Sequence, residues 1–143
     1  MNSDMFAAAR GVSRQGLDAD FAADEAHKSN LILEARAARE QGRDEAAAAR
    51  FAEAGAIEER LTDQCLAQGL VEKSYVHGFS AASCWAQAGD FHHAIVLCDG
   101  LLARPDLPEG RLRQRIQEYA DALRARRAQW YAVLLAETAT VEA

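Results

Sequence analysis

Proline, β-branched residues and long apolar runs are all scarce in this 143-residue chain. Pro105 and Pro108 are the only two prolines, so the first 104 residues lack this helix breaker. Valine, isoleucine and threonine together fill 13 positions, whereas alanine, the best helix former, fills 32. These proportions predict an all-α protein. The length predicts one compact domain with a buried core.

Signals for membrane insertion and export are also missing. No apolar run approaches the roughly 20 residues that a membrane span needs, and the N-terminus has no apolar h-region. The three cysteines, Cys65, Cys84 and Cys98, are odd in number and include no CxxC pair. They therefore argue against a disulfide framework and favour a reducing compartment. We expect a cytoplasmic protein that does not associate with a membrane.

The charge is acidic overall and unevenly distributed. The formal net charge is -6. Residues 1–103 hold 9 basic and 16 acidic side chains, whereas residues 104–143 hold 7 basic and 6 acidic side chains. An acidic chain of this kind argues against a general nucleic-acid binder. A local basic strip on the last helix keeps a nucleic-acid-associated module as one alternative; its residues are Arg111, Arg113, Arg115, Arg124, Arg126 and Arg127. The other interpretation is a solvated helix face, balanced by Glu118 and Asp121.

Apolar periodicity and single glycines predict six helices. They run over Met5–Arg14, Asp18–Gln41, Asp44–Gln68, Leu70–Ala88, Phe91–Ala103 and Glu109–Ala136, each to within a few residues. Gly42, Gly69 and Gly89 separate consecutive helices, and such short connections force antiparallel packing. Gly55 lies within the third helix, where a bend is possible. We expect the tail after Thr138 to fray.

Two of these helices have especially informative apolar stripes. The predicted buried face of the third helix is Ala47, Phe51, Ala54, Leu61 and Cys65. The last helix is expected to be held by Leu112, Ile116, Tyr119, Leu123, Trp130 or Tyr131, and Leu134. Short connections and amphipathic helices are compatible with either a bundle or a short solenoid.

An internal repeat favours the solenoid. The segments 35–54 and 82–101 align on small and core residues around one glycine each. Ala35, Ala38, Gly42, Ala47, Phe51 and Ala54 correspond to Ala82, Trp85, Gly89, Ala94, Cys98 and Leu101. The small positions allow two antiparallel helices to approach closely, and the glycine reverses the chain.

This pattern resembles the tetratricopeptide repeat family, whose helix–turn–helix units of about 34 residues stack into a superhelix. The segment Trp85–Ala94 resembles the family's turn most closely. Asp44 stands where the family usually has an aromatic residue, and Gly42 and Gly89 are 47 positions apart rather than 34. The resemblance implies an all-α, short TPR-like α-solenoid of antiparallel hairpins. Its parts would be a weak N-terminal helix (1–17), two repeat-like hairpins (28–108) and a long C-terminal capping helix (109–138). An irregular bundle with one repeat-like hairpin is the alternative.

The resemblance also implies a function, because such repeats commonly bind a peptide or a partner helix in the groove lined by the first helix of each hairpin. Carried onto this chain, the partner-binding residues are Ile32, Arg36, Arg39, Val76, Phe79 and Ser83. For Phe79 and Val76, packing into the core is the competing interpretation. The resemblance thus predicts a bacterial-type adaptor that binds a protein or peptide through its groove or an end face.

The last helix supplies a second predicted contact surface. Its apolar residues exceed what one buried stripe requires; they are Trp130, Tyr131, Val133, Leu134 and Leu135. We expect this helix, through Trp130 and Leu134, to join a homodimer or a partner interface.

No catalytic constellation is evident, and we predict neither an enzyme nor a bound cofactor. A metal-binding helical bundle is the alternative function, because carboxylate-x-x-His pairs hold di-metal sites in bundles. Asp24 with His27, and Asp90 with His93, have that spacing, although a helix cap explains Asp90 better. His77 and Cys84 share a helix face, but zinc ligands usually lie closer together in sequence.

Overall fold

The computed structural model describes residues 19–142, with side chains described as far as residue 140. Within that part, the chain forms five helices and no strands, which confirms the all-α prediction there. The helices are α1 (Ala19–Glu40), α2 (Asp44–Ala67), α3 (Val71–Gln87), α4 (Phe91–Leu102) and α5 (Arg111–Glu142). α5 continues past its predicted end at Ala136, whereas the other boundaries lie close to the predicted ones. The predicted helix Met5–Arg14, and with it the unit 1–17, falls outside the described residues.

The same type of turn connects each consecutive pair among the first four helices. Gly42, Gly69 and Gly89 have φ values of 77°, 74° and 90°, a region that glycine enters without steric cost. In each turn, the residue after the glycine donates its N–H to a carbonyl in the last turn of the preceding helix. These bonds are Arg43 to Ala38 (2.8 Å), Leu70 to Cys65 (2.8 Å) and Asp90 to Trp85 (2.9 Å). The geometry is the Schellman motif, and it reverses the chain after three residues.

Each helix packs mainly against its neighbours along the chain. Helices two apart also touch through a few side chains. Arg39 of α1 donates to the Gln87 carbonyl of α3 at 2.7 Å, and Glu59 of α2 lies 3.0 Å from His93 of α4. The rings of Phe79 in α3 and Tyr119 in α5 meet edge-to-face, with centroids 5.4 Å apart. α3 therefore contacts all four of the other helices.

The aligned positions of the internal repeat lie almost entirely in the core. Ala35, Ala38, Ala47, Phe51 and Ala54 are buried, as are Ala82, Ala94, Cys98 and Leu101. Trp85 is the one aligned non-glycine residue that remains partly exposed. The predicted stripe of α2 is likewise buried at all five positions. The apolar pattern therefore predicted the core-facing sides of α1, α2 and α4.

Candidate interaction surface

The second half of α5 extends beyond the other helices that the structure describes. α4, the helix on which α5 packs, has 12 residues, whereas α5 has 32. At about 1.5 Å per residue, α5 is roughly 30 Å longer than its neighbour. Ile116, Ala120 and Leu123 are buried against the body, but every residue from 128 to 140 is exposed. We name residues 128–140 the α5 arm.

The α5 arm has a large apolar surface. Trp130 is 55% exposed, Tyr131 is 54% exposed and Leu135 is 70% exposed, and Val133 and Leu134 are exposed beside them. The expectation that Trp130 or Tyr131 and Leu134 hold α5 to the core is therefore wrong, because all three residues are exposed. Large contiguous apolar patches on soluble domains commonly mark interaction sites.

The apolar face of the α5 arm continues the buried face of the same helix. Ile116, Leu123 and Trp130 are spaced by seven residues, and so are Ala120, Arg127 and Leu134. Seven residues make nearly two helical turns, so these positions share one side of α5. The side that packs into the core near Ile116 is thus the side that lies uncovered at Trp130 and Leu134.

A cleft lies where the α5 arm leaves the body. Its volume is about 260 Å³, and its walls come from the α3–α4 turn and from α5. The lining residues are Gly89, Asp90, Phe91, His92, Arg127, Trp130 and Tyr131. Aromatic rings, Arg127 and the Asp90 carboxylate therefore border the base of the arm.

Several arginines of the predicted basic strip are engaged within the fold. Arg124 lies 2.6 Å from both carboxylate oxygens of Asp99. Arg113 donates to the carbonyl oxygens of Leu102 and Leu107, and Arg126 lies over the ring of Phe91. This use of the arginines does not favour a nucleic-acid surface.

The predicted groove residues have varied environments. Arg36 and Val76 are exposed, and Ile32 packs at the edge of the core. Arg39 is also exposed, and its guanidinium donates to the Gln87 carbonyl and lies over the ring of Phe51. Phe79 and Ser83 are partly buried and contact Tyr119. The structure brings Phe79 and Ser83 together at Tyr119, whereas Arg36, Arg39 and Val76 are exposed.

A second cavity lies over α3, between α2 and α4. It has a volume of about 230 Å³, and its floor includes Gly78 and Ala81. Leu66 and Val96 flank it and are half-exposed, with Glu59, Asp63 and Arg104 at its rim. The apolar pattern did not predict this surface; the small residues Gly78, Ala81 and Gly100 in its lining were the sequence signal for it.

A buried ionic cluster joins α1, α2 and α3. Glu58 of α2 is 1% exposed, and its carboxylate lies 2.7 Å from Nδ1 of His77 and 3.5 Å from Nζ of Lys28. On its other side, His77 Nε2 is 3.7 Å from Glu25, and the ring meets Phe21 edge-on. The apolar pattern did not predict that Glu58 is buried, although its position continues the α2 stripe between Ala54 and Leu61. The cluster ties three helices together.

Three of the four residues of the metal-binding alternative, Asp24, Asp90 and His93, have other partners. Asp24 forms an ion pair with Arg60 at 3.1 Å, and Asp90 caps α4 by accepting the His93 N–H at 3.0 Å. His93 also stacks on Trp85. Across residues 19–140, no three His, Cys, Asp or Glu side chains are arranged to hold a metal ion.

The three cysteines are free and buried. Burial raises the pKa of Cys84 and of Cys98 to about 11, and it also raises the pKa of Cys65. Since the thiolate is the reactive form, we expect native protein at about pH 8 to resist iodoacetamide, and guanidinium-unfolded protein to be alkylated at all three thiols. Mass spectrometry of intact protein measures the difference; full labelling of native protein would contradict the described burial.

Comparisons with known proteins give no relative. No protein-family model matches the chain, and the searches of curated proteins and of solved structures found no significant match. None of the helices described over residues 19–142 has both the length and the apolar character to cross a membrane.

Proposed function

We propose that this chain is a protein-interaction adaptor whose main contact surface is the apolar face of the α5 arm. The observation that carries the proposal is the uncovered continuation of a core-facing helix side, with Trp130, Tyr131 and Leu134 in solvent. Aromatic and leucine side chains exposed together lose contact with water when a partner covers them, which favours association.

The hairpin architecture supports the same proposal. Three equivalent glycine turns, neighbour-to-neighbour packing and a buried repeat register are the features of a short TPR-like α-solenoid with α5 as its capping helix. In such an array, the helix at the end has one uncovered face, because no further repeat packs against it. Buried free cysteines additionally support a reducing, cytoplasmic location.

The test places a photo-cross-linking aromatic amino acid at Tyr131, in the cells that produce the protein. We expect irradiation to give a specific higher-mass adduct, because the position is exposed within the apolar face. The matched control has the same amino acid at Glu118, which is exposed on α5 but beside the body. Glu118 should give no such adduct.

A second control separates specific contact from random collision. Trp130→Glu and Leu134→Glu together should abolish the adduct from Tyr131, because they place charges in the apolar face. If Tyr131 gives no adduct, or gives one that survives these substitutions, the α5 arm is not a contact surface.

A further inference from the structure

We propose that the partner covering the α5 arm is a second copy of this chain, with the two arms paired antiparallel. The inference rests on the proposed function, since it names the occupant of that surface. In this pairing, Arg127 of one copy lies beside the partner's Glu137, and Trp130 lies beside the partner's Leu134.

Residue spacing gives this register. Positions 123, 127, 130, 134 and 137 are spaced alternately by four and three, which is the seam of a two-helix coiled coil. An antiparallel seam centred on Ala132 pairs position 130 with 134 and position 127 with 137. Trp130 and Leu134 therefore meet twice in the middle, and one charged pair closes each end.

The charges of the seam are complementary only in the antiparallel direction. Arg127 lies at the base of the arm and Glu137 lies about 15 Å further along it. Neither forms an ion pair with another of the described residues. Parallel arms would place arginine beside arginine and glutamate beside glutamate, which disfavours that arrangement.

The apolar surface at the seam is compact. Trp130 and Tyr131 are each about half exposed and together offer roughly 200 Å² per copy. Leu134 adds to this area at the seam, whereas Val133 and Leu135 lie on nearly opposite sides of the helix and cannot both face one partner helix. The pairing is therefore expected to give a small interface in which Trp130 and Leu134 are central.

The cleft at the base of the arm fits the same occupant. Its walls include Arg127, Trp130 and Tyr131. In the antiparallel register, these residues face the partner's segment around positions 133–137, which supplies two apolar side chains next to one carboxylate. The carboxylate of Asp90, also in the cleft, is already engaged as the cap of α4.

Charge reversal tests the pairing, with mass measured by sedimentation equilibrium. The wild-type chain should show twice its 15.6 kDa mass. Arg127→Glu and Glu137→Arg should each raise the dimer Kd about tenfold or more, because each places like charges at both ends of the seam. The double variant R127E/E137R should restore dimerisation, and an equimolar mixture of the two single variants should form heterodimers.

Arg115→Glu is the matched control, since it makes the same charge change on an exposed site outside the arm. It should leave the Kd unchanged. Circular dichroism should show equal helicity for all variants.

A wild-type chain that stays monomeric up to about 100 μM would overturn the dimer, as would a double variant that does not recover. Failure here is distinguishable from failure of the adaptor proposal. If the chain is monomeric but the Tyr131 cross-link captures a different protein, the dimer is wrong and the contact surface stands. If there is neither a dimer nor an adduct, both proposals are wrong.

Discussion

Replacing Glu58 by alanine is expected to lower the free energy of unfolding by about 3–5 kcal/mol, because it leaves buried polar partners uncompensated. The carboxylate is 1% exposed and bonds His77 and Lys28, so its loss affects three helices at once. Guanidinium unfolding followed by circular dichroism gives the value. Glu53→Ala is the matched control: it removes an exposed carboxylate from the same helix, and should cost no more than about 1 kcal/mol.

A double substitution distinguishes an ionic role from a packing role. Glu58→Leu combined with His77→Leu should recover most of the lost stability, because the two substitutions remove both buried polar partners together and leave neither one unpaired. A loss of less than about 1 kcal/mol in Glu58→Ala would show that water reaches the cluster and that the burial described here is wrong.

Enlarging Gly55 is expected to produce the second large loss. A Cβ at this position would lie 2.9 Å from Nε1 of Trp85. The indole has little freedom to move, since its N–H bonds Glu59 at 2.7 Å and its face stacks on His93. Gly55→Leu should therefore lower the free energy of unfolding by about 3 kcal/mol, the upper range for overpacking a core.

Gly100→Ala provides a control of opposite sign. This glycine also lies in a helix, but a Cβ there would meet nothing within 4 Å. The substitution should stabilise the protein by about 0.5–1 kcal/mol through helix propensity. If Gly55→Leu and Gly100→Ala change stability alike, close approach of Trp85 is not the reason for the glycine. Gly55→Leu should also be better tolerated when Trp85 is replaced by leucine.

The turns and most helix faces could be predicted from sequence because local signals determine them. A glycine that ends an apolar stripe specifies a reversal at Gly42, Gly69 and Gly89 whatever lies nearby. The possible bend at Gly55 is a different case: its neighbour Trp85 is 30 positions away, and chain spacing gives no information on that contact.

The ionic cluster and the exposed arm were harder to predict for related reasons. Glu58 occupies a position in the apolar stripe of α2. Its partners, His77 and Lys28, belong to two other helices, so the contacts follow only from the packing of all three helices and not from the stripe itself. Trp130 and Leu134 continue a buried stripe, and periodicity alone does not show where the body ends. The length of α4 decides that, and it is a property of another helix.

The neighbour-to-neighbour packing of the five helices has a consequence for how the chain folds. Three of the four connections between neighbouring helices have three residues and the last, residues 103–110, has eight, so most contacts span a short length of sequence. Closing such short loops costs little chain entropy at each step. Low contact order of this kind goes with fast folding, and hairpins can form while the rest of the chain is still being synthesised.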